Sequence, residues 1–253
     1  MEVTAALQRE AEEAIWHELE CGGYRADLSL WLALAKPYGR AHVLDIGAGS
    51  GRVALTLARA GHEVTAVDLD GGLLQRLRER AHQFKGLRME TVMADARSLD
   101  LGRNDYDLCV VAMQTIQLFG GAPGRAQFLR EARRHVRPGG VIACAIVTQL
   151  DEFSVTSGEA GPEPERLWRG ERLYVSRPTS VRVGRDTITL ERERRVIEEG
   201  RPPTTRQHVV ELARLDADQL ETEALASGLH PLPRTSVPET TEHAGSEVVL
   251  LGV

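Results

Sequence analysis

The sequence predicts an α/β fold built on a doubly wound, mostly parallel sheet, and three observations carry that reading. Between residues 42 and 147, short apolar segments alternate with amphipathic ones. The first apolar segment, His42-Val43-Leu44-Asp45-Ile46, runs into the glycine-rich turn Gly47-Ala48-Gly49-Ser50-Gly51 and then into a helical pattern. After Leu150 the pattern changes to runs of alternating polarity. Apolar strands separated by helices need cover on both sheet faces, and right-handed crossovers then wind the sheet in both directions.

In chain order, residues 4–20 carry Ala6, Leu7, Ala11, Ala14, Ile15 and Leu19 at helical spacing, with Thr4 as cap and Cys21-Gly22-Gly23 as stop. A second helix is expected from about Ala26 through Ala35, before Pro37. Strands follow at 42–46, 63–67, 88–93, 106–113 and 141–147, with helices at 51–60, 71–83 and 124–136. Gly61 and Pro138-Gly139-Gly140 supply stops. Residues 151–170, rich in Gly, Pro, Glu and Ser, read as a loop. Residues 172–213 read as an antiparallel meander, with strands at 186–197 and 205–212 parted by Pro202-Pro203. Its run Glu191-Arg192-Glu193-Arg194-Arg195 reads as a solvated ladder of cross-strand ion pairs. Asp216 and Gln219 suggest a capping box for a helix through Ser227, and strands near 232–237 and 247–251 finish the chain. The domain reading is therefore a core of residues 1–150 and 214–253 with a lid, 151–213, inserted into it.

Composition narrows the function. The 253 residues carry a net charge of −6 with scattered arginines and only Lys36 and Lys85 as lysines, which argues against a nucleic-acid partner. Cys21, Cys109 and Cys144 have no metal-ligand spacing, and two of them lie in apolar runs that suit buried packing. The acidic N-terminus and the lack of a long apolar stretch predict neither signal peptide nor membrane span, hence a soluble cytoplasmic protein.

Three strand ends carry the candidate chemistry. At the first, Gly47, Gly49 and Gly51 permit a sharp strand-to-helix turn and close approach of a ligand to the backbone. At the second, Asp68 ends strand 63–67 and can accept hydrogen bonds from a ribose, while Asp70 is the better helix cap. At the third, Ala94-Asp95-Ala96 follows strand 88–93 and can meet an adenine amino group. Asp45, ahead of the turn, suits a cationic ligand and would repel a pyrophosphate. The turn also lacks the Gly-Lys-Ser/Thr of a phosphate loop and the spacing of a dinucleotide-binding turn.

With these residues the sequence resembles the class I S-adenosylmethionine-dependent methyltransferases. The match runs through Val43 to Gly51, Val67-Asp68, Ala94-Asp95-Ala96, strand 109–113, the Arg137-Pro138-Gly139-Gly140 turn and strand 141–147. The resemblance implies a Rossmann-like sheet of seven strands, the last antiparallel, with S-adenosylmethionine as cofactor and S-adenosylhomocysteine as product. It implies Gly47, Ala48, Gly49 and Gly51 around the methionine part and Asp45 beside its charged end. Asp68 and Leu69 would meet the ribose side, and Ala94, Asp95 and Ala96 the adenine. Met113 and Gln114 would border the methyl group, and Tyr24 would close over the cofactor.

The acceptor is less specified. The fourth strand ends Ala112-Met113-Gln114-Thr115-Ile116-Gln117, without the Asn/Asp-Pro-Pro-Tyr/Phe signature of base and glutamine methyltransferases, and no acidic cluster implies a metal. The expected reaction is methyl transfer to a small molecule. The alternatives are a protein or peptide acceptor and a binding protein without turnover. Gln117, Trp168, Tyr174, Arg192 and His208 are the candidate acceptor contacts, with His208 or His243 as base.

Overall fold

The computed structural model describes residues 2–155, 162–240 and 243–253, with side chains from residue 11 onward. The apolar contacts expected of Ala6 and Leu7, and the middle of the expected 151–170 loop, lie outside the described residues.

Among the described residues, seven strands form one sheet in the order β11-β12-β5-β4-β1-β2-β3. These are β1 (His42–Ile46), β2 (Glu63–Asp68), β3 (Arg88–Met93), β4 (Tyr106–Val111), β5 (Val136–Ile146), β11 (His230–Val237) and β12 (Ser246–Gly252). β1 to β5 pair in parallel, whereas β12 runs antiparallel to β5 and β11 antiparallel to β12. The expected last antiparallel strand is therefore present.

The continuous apolar runs exist because both faces are buried. Successive residues of a strand point to opposite sides. Val43, Leu108, Val110 and Ala143 join α2 (Leu28–Ala35), α3 (Arg52–Arg59) and α4 (Gly71–Ala81) on one face. Leu44, Cys109, Val111, Ile142 and Cys144 join α5 (Gly121–His135) and α6 (Ala217–Ala226) on the other. Cys109 and Cys144 are thus core residues.

Several boundaries differ from the sequence expectation. α1 (Glu2–Glu20) starts ahead of Thr4, so Thr4 lies inside it rather than capping it. α2 starts at Leu28, after Asp27 has committed its carboxylate to Arg52 and Trp31. β4 stops at Val111, because Met113 takes a left-handed backbone (φ 52°) and the chain coils into a short 3-10 turn, Thr115–Leu118. β5 starts at Val136 because the Arg137 to Gly140 turn is accommodated as an irregularity between the Tyr106–Val136 and Leu108–Val141 pairs. Asp216 accepts from the Gln219 N–H (2.8 Å), but the Gln219 side chain reaches Glu223 instead, so only half of the capping box forms.

The second sheet is antiparallel. β6 (Phe153–Ser154), β8 (Arg172–Val183), β9 (Thr187–Glu198) and β10 (Thr204–Ala213) form it, and β7 (Glu165–Arg169) also pairs with β8. β6 and β7 lie within the stretch expected to be loop. The ladder of solvated ion pairs is also corrected, because strand alternation places Arg192 and Arg194 beneath α1. Arg194 is 8% exposed and grips Glu20 (2.8 and 2.7 Å) and Glu13 (2.8 Å). Arg192 donates to Ser176 and Glu165, and Trp16 meets the Tyr174 ring edge-on at 5.0 Å. A small apolar cluster of Val147, Val181, Ile188 and Leu212 joins this sheet to the end of β5.

Gln117 fastens the two sheets together. Its amide nitrogen donates to the Val147 and Ala213 carbonyls (3.1 and 3.0 Å), and its oxygen accepts from the Val147 N–H (2.9 Å). The residue is almost fully buried, so an apolar replacement strands backbone groups away from water. Gln117→Leu is expected to lower the unfolding free energy by about 2–4 kcal/mol in urea titration. An unchanged midpoint would show that the fastening carries no stability.

Candidate cofactor and acceptor site

The sheet delivers the glycine turn, Asp68 and Asp95 at the carboxyl ends of β1, β2 and β3, where open α/β sheets take ligands. Gly47 and Gly49 hold left-handed φ values of 68° and 55°. A Cβ on Gly47 would stand 2.5 Å from Thr115, and one on Gly49 would stand 2.5 Å from the His17 ring. Gly51 instead clears the Leu77 side chain, so it serves helix packing. The Ala48 N–H donates to the Val67 carbonyl at 3.0 Å, tying the turn to β2.

Asp68 stiffens the same turn. One carboxylate oxygen accepts from the Gly49 N–H (2.8 Å) and the other from the Asp70 N–H (3.0 Å). Asp70 caps α4, accepting from Gly72 and Leu73, as its position in the sequence suggested. Leu69 and Met93 expose large apolar side chains beside these carboxylates. Arg97 engages both carboxylate oxygens of Asp95, and its side-chain bond holds that carboxyl below the usual aspartate range. Ala94 and Ala96 flank it, and the Ala94 N–H donates to the Asp68 carbonyl (3.1 Å).

Two buried polar atoms fit a ligand. Asp45 is 1% exposed, and its Oδ2 has no hydrogen-bond partner among the described residues. Burial pushes its pKa up to about 7, against the opposing pull of Arg52 and the Ala54 N–H. Tyr24 is buried with its hydroxyl equally unpartnered. Its ring lies between the Arg52 guanidinium (5.0 Å) and the His243 ring (4.8 Å). An orphaned carboxylate beside a glycine cradle suits a cationic ligand held against the backbone.

Met113 is the only non-glycine residue with positive φ among the described ones, and it follows β4 directly. Strain of this kind gathers at functional sites. Gln114 comes next, before the 3-10 turn that carries Thr115 to the face of Gly47.

The remaining candidates divide. A cavity of about 700 Å³ opens past the end of β5, lined by Asp151, Phe153, Val181, Glu239, His243 and Glu247 among others. Of the sequence candidates, His243 borders it, whereas Gln117, Trp168, Tyr174, Arg192 and His208 are absent from its lining. Gln117 spends its amide on the backbone, and Tyr174 and Arg192 support α1. Trp168 is 64% exposed on β7. His208 pairs with Arg192 across the strands, and burial followed by the Arg194 charge lowers its pKa.

The sequence reading missed His17 and the Asp27–Arg52 pair. His17 reaches the turn from α1, with its ring 3.5 Å from the Ser50 hydroxyl. Burial lowers its pKa, and the Asp68 charge opposes that shift. Both features join residues far apart in sequence, and neither belongs to a local motif.

A methyltransferase domain model matches residues 43–140, the segment that builds the cradle and β1 to β4. Over this segment the chain is similar to the methyltransferase domain family. The chain is 28% identical over 165 residues to a cypemycin N-terminal methyltransferase from a Streptomyces species, covering 65% of each chain. It is 32% identical over 149 residues to the malonyl-[acyl-carrier protein] O-methyltransferase of Salmonella typhimurium, covering 58% of this chain and 54% of that one. The matches thus span about half to two thirds of these relatives. The fold is shared with the sugar N-methyltransferase KedS8 from a Streptoalloteichus species, with TM-score 0.70, 17% identity, and coverage of 94% of this chain and 91% of that one. The orphaned Asp45 oxygen and the glycine cradle fit S-adenosylmethionine as a cofactor.

The Asp45 carboxyl gives a pH signature. An unfolded aspartate ionises near pH 3.9, and the buried one near pH 7. Its contribution to stability is therefore full below about pH 4 and is lost as pH rises toward 7. A cationic ligand favours the ionised form. Calorimetry should find S-adenosylmethionine affinity rising between pH 6 and 8, and Asp45→Asn should flatten that slope. A slope unchanged in the variant would sink the assignment.

Proposed function

We propose that this protein is a methyltransferase that transfers the methyl group of S-adenosylmethionine to a small-molecule acceptor by in-line displacement. The observation that carries the proposal is the cavity at the ends of β5 and β12. It lies farther along the sheet edge than the cradle at β1 to β3, with Met113 and Gln114 after β4 between them. Its volume, about 700 Å³, is that of a small-molecule pocket rather than a long peptide groove.

The bound cofactor supplies an electrophilic methyl group through its sulfonium charge. The chain has to hold it, aim the acceptor and exclude water. Asp45, the glycine turn and Asp68 hold the methionine and ribose ends in this reading. Leu69 and Met93 offer apolar cover to the base, with Ala94, Asp95 and Ala96 at its edge. Tyr24 joins the two halves of the site through its stack on His243.

The cavity favours an acceptor that carries an amino group. Asp151, Glu239 and Glu247 line it, Glu247 already meeting Arg234 at 3.3 Å, and no lysine or arginine is among its described lining residues. Relatives are named for O-methylation and, consistent with nitrogen as nucleophile, for N-terminal methylation. The second of these keeps a peptide terminus as the alternative occupant. An ammonium group must lose a proton before its nitrogen can attack, and His243 at the wall is placed to take it.

The test uses methyl-labelled S-adenosylmethionine with paired amines and alcohols of sugar size and with short peptides. Label is expected on a small amine. His243→Gln is expected to lower kcat by about 10²–10⁴ while calorimetry shows unchanged cofactor affinity. Label on the peptides alone would establish the alternative. Cofactor binding with no labelled product would favour a protein that binds without turnover.

A further inference from the structure

A second cavity, of about 470 Å³, opens between α5, β10 and the start of α6. Arg125, Arg185 and Arg214 line it, together with Gly121 and Ala122, the first residues of α5. Arg125 is 2% exposed. Its Nε and Nη2 clamp the Glu223 carboxylate at 2.7 and 2.6 Å. Its Nη1 is buried without a hydrogen-bond partner among the described residues. A buried guanidinium nitrogen in this state needs an explanation, because interiors seldom leave such donors unpaired.

The helix beside it presents more donors. Gly120, at the N-cap of α5, has no side chain to offer, and the first turn holds no acidic residue. The first N–H groups of a helix lack intrahelical partners and carry its positive end, so they suit an anion; Pro123 has none, and Gly121 and Ala122 supply them here. Arg185 and Arg214 are exposed at the rim. Acidic groups stand nearby as well. Glu223 is consumed by Arg125, and Asp216 caps α6 through the Gln219 N–H at 2.8 Å. Asp186 and Asp216 remain as the opposing charges of the lining, against Arg185 and Arg214.

We propose that this cavity binds a phosphate group carried by the acceptor. Arg125 Nη1 and the open end of α5 are its inner donors, and Arg185 and Arg214 its outer ones. A phosphate offers several acceptor oxygens to donors that converge from a helix end and a guanidinium. Thr148 lines both this cavity and the larger one, so the phosphate lies next to the proposed acceptor pocket. The link to the acceptor rests on the methyl-transfer reading, whereas the phosphate site does not.

The experiment titrates the full chain, saturated with S-adenosylhomocysteine, with inorganic phosphate, glucosamine and glucosamine 6-phosphate, read by calorimetry. Saturable phosphate binding is expected, weakened at least tenfold in Arg125→Gln. The rim variant Arg185→Gln/Arg214→Gln leaves the Arg125–Glu223 pair intact and is expected to lose threefold or more. Glucosamine 6-phosphate is expected to bind at least tenfold more tightly than either inorganic phosphate or glucosamine. Absent phosphate binding in the wild type, or equal affinity in both variants, would overturn the site. A phosphate site with no preference for glucosamine 6-phosphate would overturn its link to the acceptor. Failure of the methyl-transfer reading would show separately, as absent S-adenosylhomocysteine binding before any phosphate is added or as no labelled product in the acceptor screen.

Discussion

The ion pair between Asp27 and Arg52 is the constraint on which the site depends. Both side chains are nearly fully buried. The Trp31 indole donates to the same carboxylate at 2.8 Å, and Arg52 also reaches the Tyr24 carbonyl and lies over the Tyr24 ring. Two charges taken out of water contribute little net stability as a pair, but removing either partner strands the other. The pair therefore acts mainly through geometry. Arg52 is the first residue after the glycine turn, so its partner fixes the N-terminal segment against the cradle. Tyr24 is placed by that attachment, and His243 is placed by Tyr24.

A second set of charges extends this order to the inserted sheet. Arg194 draws Glu13 and Glu20 of α1 onto β9, while Glu18 on another side of α1 meets Arg76 and Arg169. α1 consequently touches the core helix α4, the inserted sheet and, through His17, the glycine turn. The insertion rests on this helix and on the end of β5, with its apolar contact concentrated at Val147, Val181, Ile188 and Leu212.

What the sequence disclosed follows the range of the interactions. The strand-to-helix turn, the Asp70 cap and the apolar strands are set by neighbours within a few residues, so local patterns revealed them. The Asp27–Arg52 pair spans 25 positions and the Glu20–Arg194 pair 174, and no local pattern records either. The arginine-rich run of β9 misled for a related reason. Its charges look solvated unless one knows that α1 supplies carboxylates over alternate residues. The same blindness affected the acceptor contacts. The cavity is assembled from the segment after β5, single residues of two strands of the insertion, the end of β11 and the approach to β12, with no shared motif.

The attachment of α1 to the inserted sheet also constrains how such a protein can be recombined. Two segments separated by the whole β1 to β5 core form one packed unit, because Glu13, Trp16 and Glu20 match Arg194, Tyr174 and Ser176. A graft of residues 151–213 from a relative with another acceptor would bring in a sheet whose underside fits a different helix. A chimera that preserves the cradle must carry the first twenty residues along with the insertion.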